Sequence, residues 1–188
     1  KYPLKVDTGS RGTGGELAAQ RAMAAMGASY ENIKSWGGSV THSAYREAAG
    51  RMVDGHIDSF VNDDIINSPT YVELVVSRAM RIMPLSQQAI DSLASSFGYG
   101  KAVIPANTYK GQTSDIPTIS QTHALFAHKN VPDDLVYAMT KLAYENKATL
   151  VAAHPIFSSM DPVKGSQGLP IPLHPGAERY YREIGAIK

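Results

Sequence analysis

The sequence contains no cysteine, which excludes disulfides, thiolate-ligated zinc and cysteine nucleophiles at the outset. Net charge is nearly absent as well. Eighteen Lys and Arg against 17 Asp and Glu leave +1, so there is no electrostatic drive towards nucleic acid or an acidic membrane. No apolar run approaches the roughly 18 residues that a membrane span needs. No charged-then-apolar leader opens the chain, and neither an internal repeat nor a low-complexity tract interrupts it. The lack of cysteine suits an oxidising compartment such as the periplasm. What is present is 188 residues, 43% hydrophobic and 19% charged, enough for a real core in one domain or two small lobes. The chain starts at Lys1 without an initiator Met, and residues 4–6 already look like a strand. It is therefore read as a piece whose N-terminal part lies elsewhere.

Hydrophobic spacing predicts a strand at 4–8, a turn over 9–16, and a helix burying Leu17, Ala18, Ala22, Ala25 and Met26, with Gly27 as its C-terminal cap. A second helix is expected over 43–53, with Tyr45, Ala48, Ala49 and Met52 inward and Gly55 ending it. A buried strand follows at 57–61. A helix opened by Pro69 should turn Val72, Val75, Val76 and Ala79 to the core. A short strand is expected at 81–83, then a helix at 86–96, capped by Ser86 and carrying Ala89, Ile90, Leu93 and Ala94. This alternation implies a largely parallel sheet covered on both faces. Beyond residue 100 the pattern changes. Residues 102–104 and 116–126 look extended around a turn-rich 107–112. A long helix is expected over 132–153, with Leu135, Val136, Met139, Leu142 and Ala143 as its apolar stripe and Asp133 and Asp134 opposing its dipole. An irregular loop is expected over 158–172 and a last helix over 175–184.

The run Gly9-Ser10-Arg11-Gly12-Thr13-Gly14-Gly15 is the most informative local feature. Glycines let the backbone approach a ligand, and the helix that follows offers free amides and a dipole that favour an anion. Ser10 and Thr13 add hydroxyls, and Arg11 is suited to a two-pronged bond with a carboxylate. The plainer reading is a tight strand-to-helix turn. Asn62-Asp63-Asp64 follows the 57–61 strand. In an open parallel sheet ligands lie beyond the C-terminal strand ends, so these residues are placed to bond a ligand amine or hydroxyl; the plainer reading is a capping loop.

Sharper chemistries fail on spacing. A Walker loop needs Gly-Lys-Ser/Thr where this chain has Gly14-Gly15-Glu16, and Glu16 would repel a polyphosphate. The third glycine and the acidic residue of a dinucleotide fingerprint are not convincingly placed. His123, His128, His154 and His174 make no zinc-helix pattern, and they read as satisfied or solvent-facing. No Gly-x-Ser-x-Gly element supports a serine nucleophile. No catalytic residue, metal ligand or cofactor is assigned. Tyr180 and Tyr181 read as one core and one surface tyrosine.

Six segments in series resemble one family. They are residues 9–17, Asp54-Gly55-His56-Ile57-Asp58, Ile82-Met83-Pro84-Leu85, the 104–112 stretch with Ile104-Pro105, Thr108-Tyr109 and Gly111-Gln112, the run 136–141, and Ile171-Pro172-Leu173-His174-Pro175-Gly176-Ala177-Glu178-Arg179-Tyr180-Tyr181. Together they resemble the TAXI-type solute receptors of TRAP transporters along essentially the whole chain. The family turn usually reads Gly-Ser-Gly-Thr, whereas here it is Gly12-Thr13-Gly14-Gly15, one hydroxyl kept and one lost. Residues 62–69 are also unusually polar for the family, and both departures leave the ligand open.

The resemblance implies an α/β, type II periplasmic-binding-protein-like fold with a mainly parallel sheet. One lobe, residues 1–100, should be complete. Residues 101–188 should cross back to supply the C-terminal part of the other lobe. It further implies a periplasmic receptor, not an enzyme, that captures a small carboxylate, a glutamate-like amino acid or an organic acid, and delivers it to the TRAP membrane subunits. Ser10, Arg11, Gly12, Thr13, Gly14, Asn62 and Asp63 are the expected ligand-binding residues. Such a piece alone is expected to bind its ligand poorly or not at all, and self-association is open to it. The competing readings are a small α/β enzyme using the Gly-rich turn on an anionic substrate, and a cell-surface immunogen.

Overall fold

The computed structural model describes residues 2–77, 80–167, 169 and 171–188. The chain divides into two units, Lys1–Gln121 and Thr122–Lys188. In the first, the elements run β1 (Lys5–Asp7), α1 (Gly14–Ala25), α2 (Tyr30–Ser35), β2 (Ser39–Thr41), α3 (Tyr45–Val53) and β3 (Ser59–Phe60), then α4 (Pro69–Ser77), α5 (Gln87–Phe97), β4 (Gly100–Ile104) and β5 (Ile116–Ser120). The three early strands form a parallel sheet of order β2-β1-β3. Val6 stands opposite Val40 and Ser59, and Asp7 opposite Thr41 and Phe60. The mixed α/β architecture with a parallel sheet, expected from the alternation, is the one observed.

Successive residues of β1 face opposite sides of the sheet. Val6 faces a core of Met23 and Ile33, with Leu4, Tyr30, Trp36, Val40 and Val61 packed around it. Asp7, its neighbour, lies instead with Arg51 of α3. A second apolar group joins α3, β3 and α4: the Tyr45 and Phe60 rings meet edge-on at 5.4 Å, and Phe60 stacks on Tyr71 at 6.1 Å. β4 and β5 make an antiparallel hairpin. Its turn is held by the Gln112 side-chain amide, which donates to the carbonyls of Ile104, Pro105 and Ser114.

Several expectations are corrected. The segment between Gly27 and Ser43 contains α2 and β2, neither anticipated, and β2 is an edge strand of the sheet. α1 buries Gly15, Ala18, Ala19, Ala22 and Met23, while Leu17, Ala25 and Met26 are exposed. Small residues let this helix approach its neighbours closely, which turns the larger apolar ones outward. In α4 the buried residue is Leu74; Val72 and Val76 are exposed, and Ala79 lies outside the described residues. Residues 81–83 are not a strand. The α5 reading matches: the Ser86 hydroxyl accepts from the Ala89 amide, and Ala89, Ile90 and Leu93 are buried.

In the second unit the expected single long helix is two, α6 (Asp133–Glu145) and α7 (Lys147–Ala153). Asn146 breaks it. Its backbone leaves the helical region (φ −104, ψ 26) and its side-chain amide donates to Leu142 O, the local competition that Asn brings to a helix. Residues 158–172 include the end of a 3-10 turn at Pro155–Ser159 and the short α8 (Pro162–Gly165), and residues 168 and 170 of that range lie outside the described residues. α9 (Pro175–Glu183) packs along α6. Tyr180 and Tyr181 are both buried, Tyr180 stacked on Tyr144 at 5.9 Å and the Tyr181 hydroxyl 3.1 Å from that of Tyr144. Of the expected α6 stripe only Val136 is buried; Leu135, Met139 and Leu142 are exposed. His154 and His174 each cap the helical turn that their following proline opens, through Nδ1 accepting from the amides of Ile156 and Gly176.

Candidate functional site

β1 ends at Asp7 and the chain turns over Thr8 to Thr13 before α1 begins. Gly9 and Gly12 take φ of 78 and 77, a left-handed conformation that favours glycine. The helix start is capped by Thr13, whose Oγ1 accepts from the Glu16 amide at 3.2 Å and donates to Ser10 O at 2.8 Å. The amides of Gly14 and Gly15 head the first turn, where no intrahelical acceptor exists. Ser10, Arg11, Gly12, Thr13 and Gly14 are all exposed.

The loop after β3 meets this turn. In a sheet of order β2-β1-β3 the chain changes direction between β1 and β3, the position where open α/β sheets leave a crevice. Asn62 and Asp63 fill its edge. A Cβ added to Gly9 would stand 3.4 Å from Asn62 Oδ1, and one added to Gly15 would overlap both Asn62 Oδ1 and Asp63 Oδ1. Gln121, just past β5, donates from Nε2 to Asp63 Oδ2 at 2.9 Å. Thus the fold brings together the two groups singled out in the sequence, although 48 positions separate Gly14 from Asn62. Asp64 points elsewhere and accepts from the Tyr45 hydroxyl.

Two polar networks behind the turn carry residues that sequence reasoning missed. The first centres on Asp7, which has 0% exposure. Its Oδ1 accepts from the amides of Gly9 (3.0 Å) and Ser43 (3.1 Å); its Oδ2 accepts from Ser43 Oγ (2.7 Å), Thr41 Oγ1 (2.8 Å) and Arg51 Nη1 (3.2 Å). Burial alone would raise this carboxyl, but the hydrogen bonds led by Ser43 outweigh it and hold Asp7 below the usual carboxylate range. The second network starts from Thr8, also 0% exposed. Thr8 Oγ1 lies 3.1 Å from His42 Nδ1 and 3.0 Å from the Tyr30 hydroxyl, which lies 2.9 Å from Glu16 Oε1. Burial, with Glu16 as acceptor, pushes the Tyr30 hydroxyl up to about 12. Tyr30 has one proton, and a carboxylate is the stronger acceptor. The consistent arrangement is a relay in which His42 donates to Thr8, Thr8 to Tyr30 and Tyr30 to Glu16. The signal available in the sequence was Asp7-Thr8 directly before the first glycine. Their partners at 41–43 were hidden because β2 was not recognised.

Chemically, the site offers backbone amides and the exposed Arg11 to an anion, and the half-buried Asn62 and Asp63 to a hydrogen-bond donor. Two grooves lie elsewhere. One of about 330 Å³ runs between α1, α2 and α5 past Arg21, Tyr30 and Phe97, and one of about 260 Å³ lies between α5 and the hairpin. Neither is lined by a residue of the turn. Among the described residues no group of three or more His, Asp or Glu is placed to hold a metal ion, and no helix is long and apolar enough to cross a membrane.

A parallel sheet with a Gly-rich turn and a facing polar loop beyond its C-terminal strand ends is a place where open α/β folds bind ligands. The model of the NMT1-like family, a periplasmic-binding-protein-like family, matches residues 4–185, and the chain belongs to that family.

Proposed function

We propose that this chain belongs to the solute receptor of a TRAP transporter, of the TAXI type. In this reading it captures a small carboxylate, a glutamate-like amino acid or an organic acid, in the periplasm and passes it to the membrane subunits. Family membership supports the coarser part, a solute-binding role in a binding-protein family. The observation that carries the finer part is the meeting of the Gly9–Gly14 turn with Asn62 and Asp63 beyond the ends of β1 and β3. A ligand carboxylate takes the amides of Gly14 and Gly15 with Arg11 beside it, Ser10 and Gly12 line its approach, and Asn62 and Asp63 receive its amine or hydroxyl. Residues 1–100 act as one lobe, and residues 101–188 return towards the other.

The test is calorimetric titration of the protein at its natural full length with L-glutamate and 2-oxoglutarate. Binding without turnover is expected, accompanied by a ligand-dependent rise in Tm. Thr13→Val should weaken binding by about 1–3 kcal/mol, the scale of a disturbed bond to a charged group. Absence of binding to any small carboxylate at millimolar concentration would reject the reading.

A further inference from the structure

We propose that Asp7 is the positioning residue of the candidate site: anchored by Arg51, its buried carboxylate ties the Gly9–Gly14 turn to the 41–43 loop and so sets where the amides heading α1 point. The inference rests on the binding-site reading given above, but its structural half can be tested without a ligand.

Asp7 does not bind the ligand itself. It is wholly buried and already takes five hydrogen bonds, from Gly9, Ser43 (twice), Thr41 and Arg51. A carboxylate offers about four lone-pair sites, so its capacity is spent. Asp63, by contrast, is half-buried, and among the described residues it takes one side-chain bond, from Gln121. Burying a charge is costly unless it is paired and bonded, and a well-packed apolar residue would serve stability alone as well. What an apolar residue would not do is join specific donors. Gly9 N belongs to the turn, while Ser43 and Thr41 belong to the end of β2 and its loop. Arg51 Nη1, on α3, stands 2.8 Å from Ser43 Oγ and 3.2 Å from both Thr41 Oγ1 and Asp7 Oδ2. Ser10 Oγ also reaches Ser43 O at 3.4 Å. Besides the single side-chain bonds that Thr8 and Ser10 make to this loop, Asp7 is the side chain that joins the turn to Thr41, Ser43 and Arg51 at once, and Gly9, whose backbone sits at φ 78, is the residue that it holds.

Asp7→Asn separates positioning from simple packing. The amide can still accept from Gly9 and Ser43 N–H, but it places an NH2 against Arg51, which cannot accept. Amide hydrogen exchange is the readout. Exchange at Gly9, Ser10 and Ser43 should quicken by about tenfold or more, while α5 and the β4–β5 hairpin keep their protection. Unchanged exchange at the turn would overturn the proposal, and so would a uniform loss of protection across residues 2–121, the mark of a merely structural role. Should Asp7→Asn not fold, Ser43→Ala, which removes one of the five bonds, carries the same test. In calorimetry with L-glutamate or 2-oxoglutarate on the natural full-length protein, Asp7→Asn should weaken binding about tenfold or more in a folded sample. Wild-type affinity in that variant would overturn the proposal. Failure of the wild type to bind either probe would instead reject the receptor reading and leave the exchange result to judge Asp7.

Discussion

Asp7 and Ser43, 36 positions apart, are joined twice: Ser43 donates to Asp7 from its backbone amide and from its hydroxyl. The pair binds the end of the central strand to the loop after an edge strand. It also predicts how stability depends on pH. The Asp7 carboxyl is held below its unfolded value of 3.8 in the native state. Its contribution is therefore complete above that value and is lost as pH falls through it towards the native value. Acid titration of thermal stability should show a fall below about pH 4 that Asp7→Asn flattens. Ser43→Ala should lower stability at neutral pH by about 1–3 kcal/mol, the scale of a lost bond to a charged group. A variant whose acid limb matches the wild type would show that other carboxylates govern it.

Two glycines make opposite predictions. The atoms nearest a methyl group on Gly15 are the side-chain ends of Asn62 and Asp63, not backbone. A methyl group on Gly176 meets backbone, overlapping Asp133 O and standing 2.8 Å from Tyr137 N. Gly176→Ala should therefore force α9 off α6 and cost about 1–3 kcal/mol or more, the range of overpacked cores. Gly15→Ala should barely move Tm while displacing the loop at 62–63. Differential scanning calorimetry of the two variants checks the contrast; equal losses would show that the 62–63 loop is as unyielding as a helix backbone.

The Tyr30 hydroxyl links Thr8 to Glu16 and so ties the second helix to the first turn of α1. Tyr30→Phe keeps the ring in the Val6–Met23–Ile33 core but leaves buried Thr8 short of a partner. Urea denaturation should show a loss of about 1–2 kcal/mol, with the m-value unchanged. A neutral result would mean that water replaces the hydroxyl.

How much of this was legible depended on whether an element signals itself locally. The Ser86 cap, the Ala89–Ile90–Leu93 face, the Gly27 stop and the Gly-rich turn were readable because each rests on a few adjacent residues. β2 was not, since three residues flanked by Gly38 and His42 carry too little periodicity to announce a strand. Missing β2 meant missing Thr41, His42 and Ser43, and with them the partners of Asp7 and Thr8. The phase of α1 failed for a different reason. The sequence shows which residues are apolar, but here the close contact was made by alanines, and Leu17 was left outside. The convergence of Asn62 and Asp63 on Gly15 was legible only as a rule about strand ends, and their distances needed the fold.

α6 supplies the last prediction. Leu135, Met139 and Leu142 stand at i, i+4 and i+7, a single helical stripe, and they are 52%, 46% and 56% exposed. The face of α6 that packs on α9 is a different one and carries Tyr137 and Tyr144. If the stripe is open in solution, Leu142→Glu should change stability by no more than about 0.5 kcal/mol, as surface substitutions do. If something covers it, the same change should cost about 2–5 kcal/mol, as in a core. Sedimentation at several concentrations then tells the sources apart. A second copy of the chain would give a mass that rises with concentration in the wild type and not in Leu142→Glu. Cover from within one chain would give a monomer throughout, with the stability loss intact.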